Sequence, residues 1–257
     1  MPQINPCHLE DIEADLAKSQ SDLSFVFHTC SDTNIGLVRT TNEDAFYVDE
    51  KKGLWLVADG MGGQLRGDKA SASVIDNIRS FTPLETLTES IKDLETRFLL
   101  ANNTCRNMYG KKVVGSTVAA LFAYRSLAIF LWAGDSRIYR LRDGVLALMT
   151  EDHCLAQERF RRGEISRDEA QLLPSANVLT RAIGIHQNLR IEMQSAVIQS
   201  GDRYLISSDG LYREFAFDEV QNMLRGNAPE KILKKITCQA LERGGKDNIT
   251  GILMTVS

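Results

Sequence analysis

At 257 residues with 43% hydrophobic side chains, the chain suffices for one large two-layer domain with a sizeable core. A formal net charge of −4 and a pI of about 5.7 supply no basic surface for nucleic acid, so no nucleic-acid partner is expected. Cys7, Cys30, Cys105, Cys154 and Cys238 form no C-x-x-C pair, and the N-terminus lacks a charged-then-apolar leader, which points to a reduced, cytoplasmic setting.

Residues 1–23 read as an N-terminal extension, where Leu9, Ile12 and Leu16 recur at helical spacing among Glu10, Asp11, Glu13 and Asp15. A tail packed on the domain is the plainer reading of it, and a partner-docking helix the other. Strands are expected at Phe25–Thr29, Ala45–Val48 and Leu54–Ala58. Helices follow at Gly67–Ser80 and Leu84–Tyr109, the second with Leu87, Ile91, Leu94, Phe98 and Ala101 along one face. Three or four adjacent strands are expected between Ser116 and Met149, with a hairpin turn at Asp143-Gly144. Arg125-Ser126 breaks the most apolar stretch, VAALFAYRSLAIFLW, into a hairpin rather than a membrane span. Residues 151–176 are polar, with RFRRGEISRDEA at the centre and Ser166 to Glu169 as a capping box, and read as a helical surface insertion. Strands resume at Arg190–Val197 and Arg203–Ser207. Helices at Asp218–Leu224 and Pro229–Glu242 then lead to a closing strand, Ile249–Val256. Strand blocks joined by hairpins rather than βαβ crossovers favour antiparallel sheets with helices on their outer faces.

Asp44, Asp59, Asp135, Asp209 and Asp247 each stand at the abrupt end of an apolar run. Taken singly, an aspartate in such a place is more often a turn or cap residue than a ligand, and Asp143-Gly144 is assigned no function. The combination says more. Carboxylates converging at the edge of a core repel one another unless divalent cations hold them, and Mg²⁺ or Mn²⁺ suits several oxygen ligands. Gly60, Gly62 and Gly63 directly after Asp59 let backbone approach a ligand closely, and Asp209-Gly210 repeats the pattern. The residues alone point to a multi-metal hydrolase.

Seven ordered motifs carry a resemblance: GLVRTTNEDA (36–45), LVADGMGG (56–63), GSTVAAL (115–121), WAGDSRIY (132–139), LTRAIG (179–184), LISSDGL (205–211) and KDNIT (246–250). In them residues 24–257 resemble the protein phosphatase 2C family, the metal-dependent serine/threonine phosphatases, in its short bacterial form. The resemblance implies an α+β fold, a four-layer α-β-β-α sandwich with two central antiparallel sheets flanked by helices. It implies hydrolysis of phosphoserine and phosphothreonine by metal-activated water, with two core Mn²⁺ or Mg²⁺ ions and a third, looser one. Asp59 would bridge the core ions, Asp209 and Asp247 would complete the first, and the Gly60 carbonyl with Glu43 and Asp44 would serve the second. Asp135 would share the third ion with Asp209, and Arg39 would hold the substrate phosphate. Met61 stands where many eukaryotic relatives place a histidine, which leaves the general acid unassigned, and His153 reads as structural. Residues 151–176 would form the flap bordering the site, where Arg159, Arg161 and Arg162 either steer an acidic phosphopeptide or are simply solvated. The implied partners are phosphorylated proteins and a cognate serine/threonine kinase, with no membrane, and the implied state is a monomer. Two other classes remain in view: a pseudophosphatase used as a binding module, against which Arg39 and the aspartates all stand, and a hydrolase of small phosphoesters.

Overall fold

In the computed structural model, the apolar run Leu54–Ala58 is buried on both faces: Leu54, Leu56 and Ala58 enter one core, Trp55 and Val57 another. Strand side chains alternate sides, so an unbroken apolar run is what a strand requires when layers cover both of its faces. The structure describes residues 25–257 apart from 63–65, 109–112, 167–168, 171–172 and 174–176, together with Leu9, Ile12 and Glu13.

The strands are β1 (Phe27–Asn34), β2 (Asp44–Asp49), β3 (Leu54–Met61), β4 (Gly115–Ser116), β5 (Val118–Tyr124), β6 (Leu127–Ala133), β7 (Arg137–Arg142), β8 (Val145–Leu148), β9 (Glu192–Val197), β10 (Arg203–Ser207) and β11 (Ile249–Val256). The helices are α1 (Gly67–Arg79), α2 (Leu87–Met108), α3 (Leu155–Arg161), α4 (Asp209–Tyr212), α5 (Phe217–Leu224) and α6 (Pro229–Glu242). One sheet runs β1-β11-β10-β7-β8 and the other β2-β3-β5-β6-β9, with β4 beside β3. Every pairing is antiparallel.

Three apolar cores separate four layers. Trp55, Val57, Phe130 and Trp132 of the second sheet meet Ile138, Tyr204, Ile206 and Ile252 of the first. Outside the second sheet, Leu56, Ala120 and Leu131 pack on Val74 and Ile78 of α1 and Ile91, Leu94 and Phe98 of α2. Outside the first, Tyr139, Leu205 and Leu253 pack on Leu211, Val220, Leu233 and Ile236 of α4, α5 and α6. The architecture is the four-layer α-β-β-α sandwich.

Both expected hairpins form. Arg125 (φ 52) turns β5 into β6, and Asp143 (φ 50) with Gly144 (φ 76) turns β7 into β8 in the positive-φ conformation a two-residue hairpin demands. One expectation needs refining. The strands between Ser116 and Met149 are consecutive but do not form one sheet, because the chain crosses from the second sheet to the first between β6 and β7. Asp135 sits on that crossing. Near the N-terminus Leu9 is buried against the α1–α2 layer, and Glu13 caps α2 by accepting the Leu87 N–H at 2.8 Å and the Thr88 hydroxyl at 3.1 Å. Leu16 and the rest of the expected N-terminal helix lie outside the described residues. Among the described residues no helix is long and apolar enough to cross a membrane.

The turn into β10 is fixed by Asp202, whose side chain is 0% exposed. It accepts Arg142 Nε and Nη2 at 2.6 Å each, the Tyr204 hydroxyl at 2.9 Å and the Gln199 N–H at 2.9 Å. Removing one partner of a buried pair strands the other charge, so Asp202→Ala should destabilise by about 3 kcal/mol. Urea unfolding measures this, and a loss within experimental error would show that the pair contributes no net stability.

Candidate active site

Strand parity decides where the acids go. Phe46 and Val48 of β2 and Trp55 and Val57 of β3 face the inter-sheet core, so Asp44 and Asp59, in the same alternation, face its open edge. The two are register partners in the β2–β3 ladder, and directly opposed residues share a face. Tyr204 and Ile206 of β10 enter the same core from the other sheet. Ser208 continues their parity, and its hydroxyl donates to Asp44 Oδ2 at 2.7 Å. Asp209 follows β10 and Asp247 precedes β11, while Ser207 is opposite Gly251 in one ladder and Arg137 in the other. The end of β10 and the starts of β7 and β11 therefore lie at one edge.

Hydrogen bonds clamp the backbone there. Asp59 N–H donates to Thr117 Oγ1 at 3.0 Å, and Thr117 N–H donates to the Asp59 carbonyl at 2.8 Å. Buried Asn248 accepts the Glu43 N–H at 2.8 Å and donates to the carbonyls of Ile35 at 2.9 Å and Thr41 at 3.1 Å. It thereby pins both ends of the loop that carries Arg39. At Gly36 (φ 80) a Cβ would stand 2.3 Å from the Asp247 carbonyl, so only glycine lets this loop approach. At Gly60 a Cβ would stand 2.1 Å from the Gly67 carbonyl; the end of β3 meets the start of α1 there, where Gly67 N–H donates to Glu43 Oε1 at 2.8 Å.

Crowding shows in the protonation equilibria. Burial, then the charges of Asp209 and Asp247, push the Asp44 carboxyl up to about 7 against the Thr250 and Ser208 hydrogen bonds. Asp135 is likewise raised to about 7 by burial and Asp209, opposed by Arg213. Burial and the charges of Asp44, Asp209, Asp135 and Asp247 hold Asp59 well above the usual carboxylate range. Burial also raises Asp209 and Glu43. Two arginines offset part of the charge: Arg39 Nη2 lies 2.7 Å from Asp247 Oδ2, and Arg213 lies 2.7 Å from Asp135 Oδ2 and 3.0 Å from Asp209 Oδ2.

The donor set suits a hard divalent cation. Asp44 Oδ1 is buried with no hydrogen-bond partner, and the Asp44 carboxyl feels the charges of Asp209 and Asp247, a setting that a cation with oxygen ligands would relieve. Among the described residues no three His, Cys, Asp or Glu side chains close around one point as ligands of an ion would. The pairing of Asp247, Asp135 and Asp209 with arginines agrees with that spread.

Arg39, Glu43, Asp44, Asp59, Gly60, Asp135, Asp209 and Asp247 are thus brought to one edge. His153 takes a different part. Its Nδ1 accepts the Gly134 N–H at 3.2 Å, its ring stacks on Trp132, and burial with Arg181 lowers its pKa to about 3, so it is a neutral support for the Asp135 crossing. In the 151–176 segment, Arg159 pairs with Glu164 at 3.2 Å and Arg162 with Glu158 at 3.1 Å. The Ser166 capping box is formed, with Glu169 Oε2 accepting the Ser166 N–H at 2.7 Å. Sequence reasoning missed Arg213, Ser208 and Asn248. The Asp209-to-Arg213 spacing of four was the one available signal for the first. The Phe215-Ala216-Phe217 stretch packs locally, Phe215 under Arg243 and Phe217 beside Tyr139.

The four-layer sandwich and the acidic edge with an arginine at its rim agree with the family that the sequence motifs resemble. The family model described as "Protein phosphatase 2C" matches residues 38–253, and the chain belongs to that family. A curated relative named "Serine/threonine phosphatase stp", from Listeria monocytogenes serotype 4b, is 33% identical across 86% of this chain and 93% of its own. Among solved structures, PppA, titled a key regulatory component of T6SS in Pseudomonas aeruginosa, superposes with a TM-score of 0.82 at 35% identity, covering 91% of this chain and 100% of its own. The catalytic domain of the phosphatase PstP, solved in complex with two manganese ions, superposes at 0.80 with 28% identity, covering 91% and 99%. This protein is a protein-serine/threonine phosphatase.

Asp44 and Asp135 hold protons more tightly in the folded chain, at about 7, than in an unfolded one. The folded state then binds more protons between an unfolded value of about 3.9 and the folded value, so unfolding free energy falls as pH rises through that window. Chelator-treated protein should show a melting temperature that drops between about pH 5 and 7.5, and saturating Mn²⁺ should flatten the drop. A chelated sample whose stability climbs across this range would contradict the raised values.

Proposed function

We propose that this phosphatase hydrolyses phosphoserine and phosphothreonine in proteins with two Mn²⁺ or Mg²⁺ ions at the acidic edge and a third, looser ion at Asp135. In this reading it works as a cytoplasmic monomer opposing a serine/threonine kinase. Residues 24–257 form the catalytic domain, 151–176 its flap and 1–23 an extension. The carrying observation is the half-buried, opposed Asp44–Asp59 pair, with the buried Asp44 Oδ1 left unpartnered. The relative solved with two manganese ions supports the ion count.

Asp59, Asp209 and Asp247 would hold one core ion, and Asp59, Glu43, Asp44 and the Gly60 carbonyl the other. Cations held there would lower the pKa of a water toward about 7, for attack on phosphorus, and neutralise the ester. The remaining work falls to the chain itself. Thr117 fixes the Asp59 backbone from both sides, so the carboxylate need not reorganise. Asn248 sets the distance between Glu43 and the Arg39 loop. Arg39 is held through one nitrogen by Asp247 and is 50% exposed, so its planar fork keeps N–H donors for a phosphate that is nearly dianionic at neutral pH.

Phosphate release from a phosphothreonine peptide tests the reading. With Mn²⁺ the wild type should turn over, and Asp209→Asn should lose at least about 100-fold in kcat. Wild type that releases nothing with any divalent cation, or an Asp209→Asn that matches it, sinks the proposed site. Arg39→Ala should mainly raise KM for the phosphopeptide; unchanged KM and kcat would remove Arg39 from phosphate binding.

A further inference from the structure

Arg213 lies outside every motif that marks the site, immediately after α4 and four residues past Asp209. Its Nη2 donates to Asp135 Oδ2 at 2.7 Å, and its Nη1 stands 3.0 Å from Asp209 Oδ2. One planar guanidinium ties together the two carboxylates that the third cation would share. We propose that Arg213 is a built-in competitor for that cation, closing Asp135 and Asp209 as an ion pair until a divalent ion displaces its side chain. The inference rests on the metal-site reading proposed above.

The surroundings confine the movement to that one side chain. Tyr212 is tied down: its hydroxyl donates to the Asp135 carbonyl at 2.9 Å, and the Arg137 guanidinium lies 3.9 Å from its ring centroid. Arg137 is itself locked by Asp152 through a two-point contact of 2.9 and 2.7 Å. The α4 backbone is thereby fastened to the Asp135 crossing. The Arg213 side chain is 33% exposed, whereas that of Asp135 is 6% exposed, so the arginine has solvent to move into and the carboxylate does not. Each guanidinium N–H occupies one lone pair of an Oδ2 atom and its positive charge repels a divalent ion, so arginine and ion compete for these two carboxylates. Apparent affinity for the ion is then reduced by the fraction of molecules whose arginine is displaced.

The test uses the full-length protein, stripped with chelator and titrated with Mn²⁺ by calorimetry, with the stoichiometry read by equilibrium dialysis. Arg213→Gln should tighten the weakest Mn²⁺ site by about tenfold or more, since the competing state is gone. Arg213→Lys, which keeps the charge, should remain near wild type. Adding Asp135→Asn to Arg213→Gln should abolish the gain. A weakest site in Arg213→Gln no tighter than in wild type overturns the inference. Wild type that binds Mn²⁺ nowhere overturns the underlying metal reading instead. Should Arg213→Gln fail to fold, wild type still decides the matter: the Arg213 side-chain N–H resonance should shift as Mg²⁺ fills the weakest site, and a resonance unchanged at saturation overturns the inference.

Discussion

The crowding of carboxylates at the mouth of an apolar core is the constraint on which the rest depends. Asp44 and Asp59 are forced side by side by the β2–β3 register, and Asp209 reaches them from the opposite sheet. Two like charges about 4 Å apart repel by roughly 4 kcal/mol at the effective dielectric of a protein surface. A few such pairs match the entire stability of a domain, about 5–15 kcal/mol. Protons, arginines or metal ions must therefore be present at this edge, and the raised carboxyl values and the Arg39 and Arg213 pairs are two expressions of that demand.

A charge cluster of this kind is useful only if it cannot relax. The four-layer arrangement provides the rigidity, since both sheets are buried on both faces along their central strands. At the edge itself, polar side chains take over from apolar ones. Thr117 bonds to the Asp59 backbone and to Ser136, Asn248 ties β11 to the Arg39 loop, and Gly60 with Gly67 lets β3 and α1 touch. Each device fixes the position of a site residue without adding charge.

Much of this was legible in the chain. Apolar runs longer than a one-sided strand needs announce layers on both faces, and the abrupt aspartates that end them announce an edge with chemistry. Period-two alternation even puts Asp44 with Phe46 and Asp59 with Val57 on the inward face. Long-range pairing was not legible. Ser208 reaches Asp44 across 164 residues and Asn248 reaches Glu43 across 205, and no local pattern records either contact. The change of sheet between β6 and β7 was hidden for a related reason: Gly134-Asp135-Ser136 reads equally well as a turn within one sheet. Arg213 was visible as a spacing of four from Asp209, but such spacing usually marks a solvated helix pair.

Carboxylates elsewhere in the molecule differ from Asp44 in how their oxygens are satisfied. Asp202 is more deeply buried than any acid of the site pair, yet both of its oxygens are fully used by Arg142, Tyr204 and a backbone N–H. Asp152 is gripped at two points by Arg137 in the same way. Asp44 Oδ2 accepts the Ser208 hydroxyl, while its Oδ1 has no hydrogen-bond partner. A buried acid with its donors supplied is a fastening, and its charge is already balanced. A half-buried acid one donor short, facing other acids, is what the proposed coordination shell would need. That donor deficit, more than the number of aspartates, distinguishes Asp44 from the fastenings at Asp202 and Asp152.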